Sequence, residues 1–157
     1  MPITKKDTLP KGFLPKHTVT ETLSTVLAET MQLYVMTLNV HWNITGPLFP
    51  TIHVLTEQQY TELQEAIDTI AERIRALGVK APAGLVRFHD LGSIVDLDEN
   101  AKAEDMLHSL IEANQTVINR LKVALKQATE SDDDVTAGIL TDRLAVHQKT
   151  GWMLEAI

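Results

Sequence analysis

The chain has 157 residues, 44% of them apolar and none of them cysteine, which allows one domain with its own core and excludes disulfides and thiol chemistry. Its net charge of −7 is uneven, because Lys5, Lys6, Lys11 and Lys16 against Asp7 make residues 1–17 +3 and leave −10 for the rest; such an acidic body repels nucleic acid, so any DNA contact falls to the tail. No apolar run reaches the length of a membrane span and the N-terminus does not read as a signal peptide, so no membrane partner is expected and the cytoplasm is the expected location.

Residues 1–17 read as a flexible, lysine-containing tail, and residues 18–157 as one helical domain. Thr18-x-x-Glu21 has the form of a capping box that opens a first helix. Leu23, Leu27, Tyr34, Leu38 and His41 lie along one stripe of it. Between Met31 and Trp42 this helix is apolar nearly all round, which predicts burial on two sides, and Gly46-Pro47 ends it. A second helix is predicted over about 50–77, stopped by Gly78, with Leu63, Ile67, Ile70, Ile74 and Leu77 as its core stripe. A third is predicted over about 98–129, and Ser131 with its aspartates begins a fourth that runs to the C-terminus. The connection from Gly78 to Leu97 is too long for a hairpin and is expected to hold a short helix near 85–90. Two short joints flanking one long crossover define an all-α, ferritin-like four-helix bundle.

Five residues carry the chemistry: His41, His53, Glu57, Asp68 and Glu72, all good ligands for a divalent transition metal. On one helix the steps 53 to 57 and 68 to 72 are both i, i+4, so each pair shares a face. From Glu57 to Asp68 the helix advances about 16 Å, whereas a two-metal site holds its ions roughly 3.5–4 Å apart. One copy therefore cannot close a single site with both pairs, and two antiparallel copies crossing at a two-fold axis can close two. Measured from Leu63, His53 points roughly 80° away, Glu57 roughly 120°, Asp68 roughly 140° and Glu72 roughly 180°. The ligands thus look sideways or outward, which also fits a merely solvated acidic face, and a lone His41 in an apolar stripe also fits a satisfied core histidine. The intra-bundle di-iron pattern Glu-x-x-His is absent, its nearest approach being Asp105-x-x-His108, which leaves an interface site as the expectation.

The string His41-Trp42-Asn43-Ile44-Thr45-Gly46-Pro47, followed by Phe49, His53, Glu57 and Asp68-x-x-Ala71-Glu72-Arg73, resembles the ferroxidase signature of the Dps family, the DNA-binding proteins from starved cells or mini-ferritins. The resemblance extends over nearly the whole chain after residue 18, and the position of Glu57 is aspartate in some members. It implies a homo-dodecamer built from two-fold dimers around a hollow interior. His41, His53 and Glu57 would come from one subunit, with Asp68 and Glu72 from its mate. The metal implied is iron, taken up as Fe(II), oxidised preferably with hydrogen peroxide rather than dioxygen, and stored as Fe(III) mineral. An iron-storage and detoxification ferroxidase that protects DNA from oxidative damage is the function it implies.

Trp42, beside His41, reads either as a nearby electron donor or as a packing aromatic. Asp132, Asp133, Asp134 and Asp142 are the candidates for an acidic iron-entry pore, against the plainer reading that aspartates at a helix N-terminus favour its dipole. Lys5, Lys6, Lys11 and Lys16 are the candidate DNA-binding tail, with nucleoid association if DNA is bound. Two other readings compete with the ferroxidase: a nucleoid DNA-binding cage with weak or no ferroxidase activity, its metal site vestigial or zinc-filled, and a plain helical bundle whose acidic stripe is only solvated.

Overall fold

Five helices order the described residues: α1 (Lys16–Asn43), α2 (Phe49–Ala76), α3 (Leu85–Leu91), α4 (Ala103–Glu130) and α5 (Asp134–Glu155). They are seen in a computed structural model that describes residues 16–157, among which there is no strand. Lys5, Lys6 and Lys11 lie outside the described residues. Helix α1 packs on α2 and α4, α4 packs on α5, and the short α3 lies against α1, so the two hairpins α1–α2 and α4–α5 form the bundle.

Heptad-like spacing accounts for the packing. In α4 the buried residues Met106, Leu110, Ala113, Val117, Leu121, Ala124 and Ala128 recur every three or four positions. In α2, Leu63, Ile70 and Ile74 are buried as expected, and Ile67 and Leu77 pack against the same core. Gly46 (φ 88°) and Gly78 (φ 91°) adopt the left-handed backbone that glycine tolerates without strain, and each lies just beyond the helix it follows. The predicted short helix in the crossover is α3.

Three expectations need correction. Helix α1 is already under way at Thr18, having begun at Lys16, and an N-cap must be non-helical, so the Thr18–Glu21 pair is not its opening box. Helix α4 starts at Ala103 rather than near 98, because the Asp98 side chain takes the amide of Asn100 (2.7 Å) and its carbonyl takes that of Ala101 (3.0 Å), making a turn there. Burial of α1 on two sides holds only in part: α3 covers some of its outer face, but Val35 remains 46% and Trp42 68% exposed.

Buried polar ties fix the crossover and join α2 to α5. Glu29, fully buried in α1, accepts two bonds from Arg120 of α4 (3.1 and 3.2 Å) and one from the Ser93 hydroxyl (2.9 Å). Where α2 meets α5, Glu62 of α2 pairs with Arg143 of α5. Arg143 donates to His147 Nε2 (2.9 Å), and His147 Nδ1–H donates to the Asn114 side-chain oxygen (2.8 Å). Burial first, and the Arg143 charge second, hold the His147 imidazole down at about 3.

Candidate metal centre

The joint between α1 and α2 brings two of the five candidate ligands face to face. His41 sits near the C-terminal end of α1 and His53 one turn into α2; their rings stack with centroids 3.8 Å apart and planes 13° apart. His41 Nδ1–H donates to the backbone carbonyl of His53 (2.8 Å), and His53 Nδ1–H donates to that of His41 (2.8 Å). A carbonyl has no proton to give, so both rings must carry hydrogen on Nδ1. In the neutral ring each Nε2 then keeps a lone pair, and neither has a hydrogen-bond partner among the described residues. This clasp is local: each ring is held by the backbone of the other helix across a short connection.

Around the pair, Phe49 stacks on His53 (4.9 Å) and the edge of Tyr60 meets His41 (5.1 Å, 77°), with Tyr34 beyond it (6.5 Å from Tyr60). His41 is 8% exposed. Glu57 stands exposed one turn after His53. Asp68 and Glu72 are exposed as well, on the side of α2 away from the buried Leu63, Ile70 and Ile74. Among the described residues, no three histidine or carboxylate side chains of the one chain gather into a metal-holding group.

Trp42 is neither packed in the core nor in ring contact with His41; it is 68% exposed, so the packing role is not met among the described residues. Sequence reasoning missed Thr56, which is fully buried with its hydroxyl oxygen 3.1 Å from His41 Nδ1. The available signal was its position three residues after His53, toward the buried side of α2.

The four aspartates do not behave alike. Asp133 is the N-cap of α5, accepting from the Thr136 amide (3.0 Å), and it pairs with Arg73 of α2 (2.8 Å). Burial raises its affinity for a proton, but the Thr136 hydroxyl and amide and the Arg73 charge together outweigh that and hold the carboxyl below the usual range. Asp132 (φ 54°), Asp134 and Asp142 are exposed. Lys16 is the first described residue and lies in α1.

Comparison with known proteins follows the same lines. The family model of the ferritin-like domain matches residues 20–157. A DNA protection during starvation protein from Brevibacillus brevis is 37% identical over 134 residues, covering 85% of this chain and 90% of its own. The crystal structure of a Dps protein from Bacillus brevis superposes with a TM-score of 0.86 at 36% identity, over 90% of this chain and 95% of that one. The Dps protein of Vibrio cholerae O1, described as a member of a broad superfamily of ferritin-like diiron-carboxylate proteins, shares the fold at 24% identity (TM-score 0.85; 95% and 98% of the two chains).

Proposed function

The chain belongs to the Dps family of ferritin-like proteins, and from that premise we propose that it is an iron-storage and detoxification cage. It oxidises Fe(II), with hydrogen peroxide as the preferred oxidant, and keeps the Fe(III) as mineral. The observation that carries this reading is the clasp between His41 and His53, which leaves two imidazole Nε2 atoms free at the end of the bundle where Glu57 stands. Imidazole and carboxylate together suit Fe(II). His41, His53 and Glu57 of one subunit face Asp68 and Glu72 of the partner subunit across a two-fold axis, giving two sites per dimer.

The histidines hold Fe(II) as neutral donors, and the carboxylates supply the negative charge that favours Fe(III) as the electron leaves. Two Fe(II), one hydrogen peroxide and two protons give two Fe(III) and two waters. Because peroxide is reduced by two electrons at once, no hydroxyl radical is set free, which is how such a site protects DNA. Twelve subunits form the shell. Exposed Asp132, Asp134 and Asp142 draw cations toward an entry pore, while Asp133 serves chiefly as a cap. The tail lysines Lys5, Lys6, Lys11 and Lys16 supply DNA contact, so the protein works in the cytoplasm and on the nucleoid. No helix among the described residues is long and apolar enough to cross a membrane.

The test is anaerobic addition of Fe(II) and hydrogen peroxide, followed by size exclusion with protein and iron absorbance recorded together. Iron co-eluting with a particle near twelve times the 17.5 kDa chain mass is the expected result, with protein-free controls precipitating. A large particle without iron points to the DNA-binding cage, and a monomer or dimer without iron overturns the reading.

A further inference from the structure

We propose that Thr56 is a positioning residue for iron binding: with the His53 carbonyl, its hydroxyl oxygen holds His41 in the tautomer that offers Nε2 to a divalent cation before the cation arrives. The inference rests on the ferroxidase reading of the site and adds a residue outside the five candidate ligands.

Thr56 donates its single hydroxyl proton along α2 to the backbone carbonyl of Ile52 (2.6 Å), with the His53 carbonyl further off (3.2 Å). Its oxygen therefore turns a lone pair toward His41 Nδ1 (3.1 Å) and accepts there. His41 thus donates from one nitrogen to two acceptors, the Thr56 oxygen and the His53 carbonyl. His53 has one acceptor only, the His41 carbonyl. Thr56 is 0% exposed, so bulk water does not replace its hydroxyl when it is removed. The opposite tautomer of His41 would put a proton on Nε2, where it blocks metal binding, and would set the Nδ1 lone pair against two oxygens. Partners of this kind fix ring orientation and ligand basicity, and their loss commonly costs ten- to a hundred-fold in metal affinity. With the His53 carbonyl still in place, loss of Thr56 sits at the low end of that range.

The experiment uses the full assembled protein, free of metal and labelled with [15N]histidine. Solid-state 15N NMR reads the tautomer, with the His41 signals identified by their absence in His41→Gln. Binding of Co(II), which does not turn over with peroxide as Fe(II) does, is then titrated. Wild type is expected to show protonated Nδ1 and bare Nε2 at His41. Thr56→Val is expected to mix the tautomers and weaken Co(II) binding about tenfold, and Thr56→Ser to restore both; Thr56→Ala replaces the valine variant if valine disturbs assembly. A wild-type His41 protonated on Nε2, or a Thr56→Val protein with unchanged tautomer and unchanged Co(II) affinity, overturns the proposal. Tight Co(II) binding with the expected tautomers but no Fe(II) oxidation would overturn the ferroxidase reading while upholding the positioning role.

Discussion

At the scale of single residues, the clasp explains why the two histidines are not interchangeable with other polar side chains. Each needs a donor nitrogen for the facing backbone and a lone pair on the far side of the ring, and only imidazole offers both. His41→Ala is therefore expected to do two things at once: remove a ligand and leave the His53 carbonyl without its donor. Initial rates of Fe(II) oxidation with peroxide should fall at least tenfold, while the particle keeps its size. Asp68→Ala, which touches no core residue, should lose oxidation to a similar extent with unchanged unfolding, read by a denaturant titration. A solvated acidic face predicts no change in either quantity.

His147 makes a separate prediction at this scale. Folding holds it near 3 against an ordinary value of 6.5, so between these pH values the unfolded chain binds a proton that the native chain does not. Stability is thus full above about pH 6.5 and is lost as pH falls toward 3, by on the order of 5 kcal/mol in all. Urea midpoints at fixed protein concentration should decline already between pH 6.5 and 5, before most carboxylates titrate. His147→Gln should flatten that part of the profile, at the cost of lower stability at neutral pH.

Between elements, the polar ties decide how firmly the crossover is held. Helix α3 is too short to persist by itself, and its neighbour Ser93 reaches the same Glu29 carboxylate that Arg120 grips. Arg120→Ala strands a fully buried carboxylate, for which about 3–5 kcal/mol is the usual cost. Because Arg120 is itself 36% exposed, water can enter and the lower figure is expected. Hydrogen exchange should quicken through residues 85–97 more than in α4 and α5. The Arg73–Asp133 pair ties α2, at the residue beside Glu72, to the start of α5.

For the whole molecule, the proposed sharing of ligands between two copies has a quantitative consequence. If a chain with His41→Ala and a chain with Asp68→Ala are co-expressed and pair, one site of the mixed dimer carries both defects and the other carries neither. Each mixed dimer should recover about half the wild-type oxidation rate although each parent variant has lost at least about tenfold, since one of its two sites is intact. Sites built within single chains would show no recovery, so the rate of the purified mixed dimer decides the point.

The sequence by itself determined the helices, because a core stripe recurring every three or four residues and the glycines that follow α1 and α2 are properties of the local chain. Crossover length allowed the bundle type to be read, and the eleven-residue gap showed that one copy of α2 cannot bring both i, i+4 pairs to one point. Tertiary structure alone decided which helix ends meet. That His41 and His53 stack and exchange hydrogen bonds, that Thr56 stands behind His41, and that Asp133 is spent on Arg73 all depend on contacts between residues 12 to 60 positions apart, for which no periodicity exists. Local signals misled at Thr18, which already lies inside α1, and at Asp98, whose own side chain and carbonyl make a turn that delays the start of α4 to Ala103.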